Sequence, residues 1–216
     1  MTNKEFVEKA ITKNHSGKMQ GMQSLSVACT KCKLCIKAHQ TNDDLCVCKH
    51  CYSFRMLARY KSLREKLENN YDFFTTANLI ADDIPVINAS MFRFEAFGDL
   101  ATTEQFRNYV MIAKCNPNTT FTLWTKRPYI IERAFDIYDI GKPKNLIIIY
   151  SEPYINKAWA ESEYNAIRKV YPFIDKVFTV HNNAESININ CGAKKCAECR
   201  LCYTRNSVHI INELLK

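Results

Sequence analysis

The stretch "TFTLWTKRPYIIERAFDIYDIGKPKNLIIIY", residues 120–150, contains a complete strand–helix–strand unit. Residues 120–124 and 145–150 are rich in β-branched and aromatic side chains, which predicts two strands. The predicted helix between them, residues 128–138, begins at a proline and carries apolar residues at helical spacing, namely Ile130, Ile131, Ala134, Phe135 and Tyr138. Two strands joined by one helix predict a parallel pair with a right-handed crossover.

The same alternation continues on both sides of this unit. Further strands are predicted at residues 24–28, 91–95 and 176–180. Further helices are predicted at residues 3–13 with Thr2 as the cap, at 53–70, at 103–114, at 157–170, and as a short final helix. About five β/α units of this kind predict an α/β fold with parallel strands, an incomplete, TIM-like (β/α) barrel that forms a single domain over residues 1–216.

Length and composition restrict the class of protein. At 216 residues the chain can bury a sizeable core without disulfides. Its first residues carry charges where a secretory signal needs an apolar run, so we expect a cytoplasmic protein. No stretch approaches the roughly 18 consecutive apolar residues that span a bilayer, so no membrane role is predicted. The formal charge of +8 is weak evidence for a nucleic-acid partner, because metal-bound cysteines would be thiolates.

Ten of the eleven cysteines fall into two short segments. Six lie in residues 29–51: Cys29, Cys32, Cys35, Cys46, Cys48 and Cys51. Four lie in residues 191–202: Cys191, Cys196, Cys199 and Cys202. Clustered cysteines in a reducing compartment indicate metal ligands or redox groups rather than structural disulfides. Cys115 stands alone on a predicted helix and is interpreted as a small core residue. The sequence therefore predicts two metal-binding segments that bracket the α/β core.

The spacing of the cysteines bears on the identity of the metal. Each segment contains a C-x2-C-x2-C run, and three successive thiolates at this spacing are typical of 4Fe-4S clusters. Structural zinc sites more often use two separated C-x2-C pairs, so zinc is the alternative. Because Cys191, Cys196, Cys199 and Cys202 are close in sequence, we predict that they form one complete four-thiolate site.

Five short motifs occur in the order expected of a known family. They are "SGKMQGMQSLSVAC", "CKHCYSF", "FRFEAFGDL", "FTLWTKRP" and "CAECRLC". Together they span residues 16–203, and the chain resembles the bacteriophage gene-product-88-like family. This resemblance implies a phage or prophage origin, and so the cytoplasm of a bacterial host. It implies little about the substrate.

A more distant resemblance connects the chain to radical S-adenosylmethionine (SAM) enzymes. The cysteine loop after the first strand, with Tyr52 next to Cys51, is similar to their cluster loop, although the C-x3-C-x2-C pattern is reduced here to its C-x2-C half. The resemblance implies SAM as a cofactor and an iron that lacks a protein ligand, with Cys46, Cys48 and Cys51 as the nearest trio of thiolates. It also implies that Gly98 and Asp99 receive the amino group of SAM.

Barrel geometry predicts a second set of site residues independently of any family. Active sites of β/α barrels lie at the carboxyl ends of the strands. Four predicted strands are followed there by residues 97–99, 125–127, 151–152 and 181–182. From these we select Gly98, Asp99 and Lys126 as candidate cofactor-binding residues. The alternative is a Gly-Asp turn before a helix capped by Thr102 or Thr103, with Lys126 and Arg127 in a solvated helix start.

Three functions therefore remain in competition. The first is a radical SAM-like iron–sulfur enzyme of unknown substrate. The second is a non-catalytic iron–sulfur redox protein, which would need an electron donor as its partner. The third is a zinc protein, structural or nucleic-acid-binding, whose basic helix contacts a polyanion through Arg55, Arg59, Lys61, Arg64 and Lys66.

Overall fold

The computed structural model describes residues 1–185 and 187–215. Its strands form one seven-stranded sheet in which each strand lies beside the next one along the chain. The strands are β1 (Thr12–Lys13), β2 (Gln23–Leu25), β3 (Met91–Phe94), β4 (Thr120–Thr125), β5 (Leu146–Ser151), β6 (Lys176–His181) and β7 (Ile210–Leu214). Strand β1 runs antiparallel to β2, and all the other neighbouring pairs are parallel.

Eight α-helices occur among the described residues. They are α1 (Asn3–Ala10), α2 (Lys33–His39), α3 (Tyr52–Arg59), α4 (Lys61–Phe74), α5 (Thr103–Cys115), α6 (Pro128–Tyr138), α7 (Glu161–Val170) and α8 (Cys196–Cys199). Short 3₁₀ helices span Val47–His50, Ala81–Asp83 and Leu201–Tyr203. None of the helices in the described part of the chain combines the length and the apolar character needed to cross a membrane.

The sequential strand order confirms the α/β class and the largely parallel sheet. Parallel neighbours joined in chain order by right-handed crossovers place their helices on one face of the sheet. Within the described residues β1 and β7 are the two edges and do not pair with each other. The sheet is therefore open, and no pairing of described strands closes it into a barrel.

The two faces of the sheet bury different partners. On one face, Phe121 and Leu146 pack into the main core, which also contains Phe106 of α5 and Ile131 of α6. We call this the helix-covered face. On the other face, alternate strand residues such as Trp124 pack into a separate cluster that includes residues of the C-terminal cysteine segment. We call this the cysteine-covered face. The period-2 alternation of strand side chains thus divides the core in two.

Local sequence signals explain several helix boundaries. Thr2 caps α1 in a reciprocal capping box with Glu5, as predicted for Thr2. Helix α6 begins at Pro128, because the first turn of a helix tolerates a residue that has no N–H donor. The predicted helix over residues 53–70 is instead two helices, because Tyr60 adopts an extended backbone between α3 and α4. The first cysteine segment also contains a helix, α2, where only a loop was predicted.

The two ends of the chain differ from the prediction. The helix predicted over residues 3–13 ends at Ala10, and Thr12–Lys13 pairs with β2. The predicted short final helix is wrong, because Ile210–Leu214 forms strand β7 beside β6. Cross-strand pairing along β6 decides the conformation of this segment, whose first residues are β-branched. Because β1 and β2 precede the first cysteine segment and β7 follows the second, the segments interrupt the sheet rather than bracket it.

Candidate functional site

The loops after β3 and β4 are joined through the carboxylate of Asp99. Thr125 Oγ1 donates to Asp99 Oδ1 at 2.6 Å, and the backbone N–H of Lys126 donates to Oδ2 at 3.1 Å. The N–H of Leu100 adds a third hydrogen bond at 2.8 Å. Asp99 is buried. These three hydrogen bonds therefore occupy much of the acceptor capacity of the Asp99 carboxylate. The sequence had predicted that this carboxylate would accept hydrogen bonds from a cofactor amine.

Gly98 lies where two backbone segments approach each other closely. A Cβ atom at this position would be 2.5 Å from the carbonyl oxygen of Val27 and 2.5 Å from Glu95 Oε2. The contact partner of Gly98 is thus the protein's own backbone at the exit from β2. The cap predicted after this turn is confirmed for Thr102, whose Oγ1 accepts from the N–H of Gln105 at 3.2 Å.

Lys126 connects the end of β4 to the end of β5. Its Nζ donates to Ser151 Oγ at 3.1 Å. Together with the Asp99 contacts, this bond links three of the four segments that were predicted to meet at the carboxyl edge. The fourth segment has other partners: His181 Nε2 lies 3.1 Å from Asn212 Oδ1 on β7, and the N–H of Asn182 donates to Asn156.

Glu95 is a buried acidic residue that the sequence interpretation missed. It follows β3 with a left-handed backbone, φ 55°, and is 2% exposed. Gln105 Nε2 donates to its Oε1 at 2.8 Å, the N–H of Val27 donates to Oε2 at 3.3 Å, and the hydroxyl of Tyr109 also donates to it. Burial raises the pKa of Glu95 to about 8 although these hydrogen bonds oppose the shift. The sequence signal for this site was an acidic residue within the mostly apolar stretch "FRFEAF".

Three N-terminal cysteines form part of an apolar cluster. Cys29, Cys32 and Cys35 are buried and pack with Leu57 of α3 and Leu67 of α4. The other three members of the segment, Cys46, Cys48 and Cys51, are half-buried. The residues next to Cys46 pair with the chain after β5, because the N–H of Val47 donates to the carbonyl of Pro153 at 2.8 Å. The segment therefore extends from the end of β2 to the end of β5 along the carboxyl edge.

Arg127 binds two of these cysteines directly. Its Nη1 lies 3.1 Å from Cys32 Sγ and its Nη2 lies 3.2 Å from Cys35 Sγ, and Nη1 also donates to the carbonyl of Leu100. Arg127 is 8% exposed, so the alternative of a solvated helix start is wrong for this residue. The neighbouring thiol of Cys35 and the charge of Arg127 lower the pKa of Cys32 below that of a free thiol.

Cys51 has a different set of partners. It is the N-cap of α3, and its side chain forms no cap hydrogen bond. The neighbouring thiol of Cys29, followed by the N–H groups at the start of α3, lowers the pKa of Cys51 to about 5 although burial opposes the shift. Burial raises the pKa of Cys48 to about 11, against the opposing charge of Lys126.

All four C-terminal cysteines line one small pocket together with Lys18. The carbonyl of Lys18 accepts from the N–H of Cys196 at 2.7 Å. Its Nζ lies 3.2 Å from the carbonyl oxygen and 3.5 Å from the Sγ of Cys191, and pairs with Glu213 at 2.5 Å. The loop before β2 therefore holds the C-terminal cysteine segment in place through one lysine.

Arg93 of β3 lies under the same cysteines on the cysteine-covered face. Its guanidinium carbon is 4.0 Å from the ring centroid of Trp124, a cation–π contact. Its charge acts on Cys196 and on Cys202. Burial raises the pKa of Cys202 to about 12, and Arg93 opposes this shift. A cation is therefore close to the thiols whose negative charge metal binding would require.

A family model described as gene product 88 matches residues 2–212. The chain belongs to the gene product 88 family. This match confirms the resemblance carried by the five motifs, and with it the phage-type character of the sequence. No curated protein and no solved structure matches the chain. The resemblance to radical SAM enzymes is tested by none of these comparisons and stays a prediction.

Neither cysteine set of this gene product 88 family member is arranged as a finished metal site. Among residues 1–185 and 187–215, no three or more His, Cys, Asp or Glu side chains form a group that could hold a metal ion. The sulfurs of either set would have to move toward one another to share a metal. Their thiol character, clustering and cationic neighbours nevertheless suit a metal that prefers soft ligands.

The basic residues proposed to contact nucleic acid do not share one helix. Arg55 and Arg59 belong to α3, whereas the three others belong to α4, beyond the break at Tyr60. Lys66 Nζ donates internally to the carbonyl of Ile11 at 3.2 Å and to Thr12 Oγ1 at 3.0 Å. The five residues therefore do not form the single basic helix that was predicted, and their contact with nucleic acid stays a prediction.

Proposed function

We propose that this gene product 88 family protein is a thiolate-bound metalloprotein, with iron–sulfur clusters as its cofactors. The single observation that carries the proposal is that Cys191, Cys196, Cys199 and Cys202 line one pocket. Four thiolates are the complete ligand set of a cubane cluster or of a structural zinc ion. Free thiols in a protein core need no such grouping, because each is buried well enough as a small apolar side chain.

The charges around the cysteines support a thiolate role. A tetrathiolate centre carries net negative charge, and nearby cations stabilise it in a partly buried position. Lys18 contacts the sulfur of Cys191, and Arg93 acts on Cys196 and Cys202. In the N-terminal segment Arg127 contacts the sulfurs of Cys32 and Cys35. Each cysteine segment thus has cationic side chains directed at its sulfurs.

Iron–sulfur clusters are preferred to zinc because of the spacing of the ligands. Both segments use a C-x2-C-x2-C run, whereas structural zinc sites typically use two separate pairs. N–H donors directed at sulfur, such as those of Arg127, also tune the potential of iron–sulfur clusters. Zinc at one or both segments is the alternative, and the metal analysis below separates the two.

The test is an anaerobic purification followed by iron, sulfide and zinc analysis. We expect iron and acid-labile sulfide in comparable amounts, with a brown colour. Cys→Ser substitution at Cys191, Cys196, Cys199 or Cys202 should remove one centre. Cys115→Ser is the matched control, because Cys115 is an exposed thiol at the end of α5, and it should keep full metal content. Colourless protein with stoichiometric zinc refutes the iron–sulfur assignment, and protein without metal refutes the whole proposal.

A catalytic role is a second candidate, favoured by the position of the N-terminal segment. Residues 45–47 lie beside the chain after β5, at the carboxyl edge of the parallel strands, where β/α enzymes hold their active sites. Lys126 and Ser151 lie at the same edge. We propose that an unknown substrate binds there and that SAM is the cofactor. The cytoplasm of a bacterial host would supply the electron donor.

Cleavage of SAM tests this second candidate. Reconstituted protein reduced with dithionite should convert SAM to methionine and 5'-deoxyadenosine. One electron from the reductant would break the bond between sulfur and the 5' carbon, and the 5' carbon would take a hydrogen atom from the substrate or, without substrate, from the reducing solution. Lys126→Met should slow the cleavage without loss of iron. Asp99→Asn should lower stability more than cleavage, because Asp99 holds the loops after β3 and β4 together. A fully loaded, reduced protein that neither binds nor cleaves SAM would leave electron transfer as the function.

A further inference from the structure

The positive charge of the chain is concentrated near the first cysteine segment. Residues 31–66 contain nine Lys and Arg residues and three Asp and Glu residues, which gives a formal charge of +6, out of +8 for the whole chain. Cysteines do not enter this count. These residues include α2, α3 and the beginning of α4. Such an uneven distribution of charge along a chain indicates a polyanionic partner.

Two of the five basic residues singled out from the sequence already have partners within the protein. Lys61 Nζ lies 3.7 Å from Glu65 Oε1, and Lys66 Nζ donates to oxygen atoms of the segment after α1. Arg55 and Arg59 of α3 are exposed, and neither forms an ion pair with any residue in the described part of the chain. The two arginines of α3 are therefore available to an external anion.

The exposed side of α3 combines these arginines with an aromatic ring. Ser53 and Leu57 are buried on the other side of the helix. Tyr52, Arg55 and Arg59 are exposed and follow one another at intervals of three and four positions, which places them on one side of a helix. We call these three residues the α3 face. It contains two positive charges and no carboxylate.

Two tyrosine rings lie at the two ends of α3 and are held in position. Tyr52 is 49% exposed although its hydroxyl donates to the carbonyl of Ala96. Tyr60, the residue after the helix, is 43% exposed, and the guanidinium carbon of Arg59 lies 5.4 Å from its ring centroid. Aromatic rings beside arginines are the groups on which unpaired bases stack in proteins that bind single strands.

A second cationic feature lies next to α3. An open groove along α2, which we call the α2 groove, is lined by Lys33, Ile36, Lys37, Gln40, Thr41 and Asn42. Its lining contains no acidic side chain, and within the described residues neither lysine forms an ion pair. The ring of His39, at the end of α2, stacks on that of Phe54 in α3 with 4.0 Å between the centroids. The α2 groove therefore adjoins α3.

We infer that the α3 face, together with Tyr60 and the α2 groove, binds single-stranded nucleic acid. Arg55 and Arg59 contact phosphates of the strand, and the lysines of the α2 groove contact further phosphates. Bases stack on Tyr52 and Tyr60. A duplex offers phosphates but keeps the faces of its bases inside the stack, so it would leave the two rings unused. This inference goes beyond the proposed function and does not depend on it.

Fluorescence anisotropy with a labelled oligothymidylate of about 20 nucleotides tests the charge contacts, since sites of this class cover about 4–16 nucleotides. The wild-type protein should bind it with an affinity that falls as the salt concentration rises. Arg55→Gln combined with Arg59→Gln should lower the slope of log affinity against log salt by about 1.4, or about 0.7 for each lost phosphate contact.

The control for this pair combines Arg133→Gln with Lys169→Gln. These exposed residues of α6 and α7 lie outside the proposed site, and their substitution removes the same charge. The control variant should keep the wild-type slope. Equal slopes in the two double variants overturn the inference, because the α3 face would then have no role beyond its part in the net charge.

The stacking contact has its own test. Tyr60→Ala should weaken binding of the same oligonucleotide about tenfold, as expected when one base loses its aromatic partner. The control is Tyr129→Ala, which removes a ring that is 48% exposed from α6. A duplex of the same length should bind more weakly than the single strand. Equal affinities of the two tyrosine variants, or a duplex bound as tightly as the single strand, contradict the inference.

Metal analysis of the same samples separates this inference from the proposed function. Metal-free protein that binds the single strand as expected refutes only the metalloprotein. Metal-loaded protein that shows no saturable binding of the single strand at about 50 mM salt, where phosphate contacts are strong, overturns only the inference.

Discussion

The two cysteine segments of the protein differ in how deeply they belong to its fold. In residues 29–51, three cysteines pack in an apolar cluster, and a buried arginine holds two of them. In residues 191–202, the cysteines lie at the surface or half-buried around a small pocket, attached through Lys18. The comparison teaches that the first segment contributes to the stability of the fold, in addition to the metal binding proposed for it. The second segment packs against the cysteine-covered face of the sheet and has no buried cysteine.

The largest expected difference in the free energy of unfolding is between alanine substitutions at two glycines, one near each cysteine segment. Gly98→Ala would place a Cβ 2.5 Å from the carbonyl of Val27, so backbone must shift. We expect a loss of about 3 kcal/mol in the free energy of unfolding, typical of overpacking. Gly192→Ala meets no atom within 4 Å and should change it by less than about 0.5 kcal/mol. Urea denaturation measures both. Equal effects would remove the contrast between the segments.

The stability of the protein should depend on pH through the carboxyl group of Glu95, which lies near the first cysteine segment. Burial raises the pKa of Glu95 from 4.5 to about 8, so the folded state holds this proton more tightly than the unfolded state. The stabilisation from this proton is fully present below pH 4.5 and is lost as the pH rises through about 8. We expect the free energy of unfolding to fall between these values, and less steeply in Glu95→Gln. Parallel profiles for both proteins would exclude Glu95 as the cause.

The order in which the two proposed centres lose their metal should follow the exposure of their cysteines. Cys199 is exposed, whereas Cys51 is half-buried, so a chelator should reach the proposed C-terminal centre more easily than the proposed N-terminal one. With a thiol-reactive label present, Cys199 should become modified earlier than Cys51 as a chelator removes the metals. Time-resolved peptide mapping provides the order. Modification of Cys51 first would show that the N-terminal segment opens more readily than its burial indicates.

The smallest expected effect concerns the attachment of the second segment. Lys18→Met removes the contacts to Cys191 and to Glu213, and we expect a loss of about 1 kcal/mol of stability. It should also speed metal release from the C-terminal centre alone. The control is Lys195→Met, whose ammonium lies 3.7 Å from Glu198 on the exposed surface and should have little effect. Identical release rates for the two variants would refute a role for Lys18.

Local patterns were enough to predict much of this fold. Helix α6 has the predicted bounds because its proline and its apolar spacing are both local signals. Strand β7 was missed, since its conformation depends on pairing with β6 rather than on its own short sequence. The break at Tyr60 was also missed, because the apolar spacing continues across it.

The candidate site was likewise predicted from the sequence only in part. The cysteines were found from composition and spacing, which are local. The contacts of Arg127 with Cys32 and Cys35 were not predicted, because Arg127 lies about a hundred positions from Cys32 in the chain and reaches it only in the folded structure. Glu95 was missed for a related reason: its partners are Val27, in the segment after β2, and Gln105 and Tyr109 of α5. Long-range contacts, not residue types, decide both features.

Native mass spectrometry of the anaerobically purified protein measures the number of metal centres on one chain. We expect a mass that corresponds to two bound centres. Cys199→Ser should lose one of them, Cys51→Ser should lose the other, and Cys115→Ser should keep both. A wild-type mass equal to that of the bare chain would contradict the presence of thiolate-bound metal. Loss of the same single centre from Cys199→Ser and Cys51→Ser would contradict the assignment of one centre to each segment.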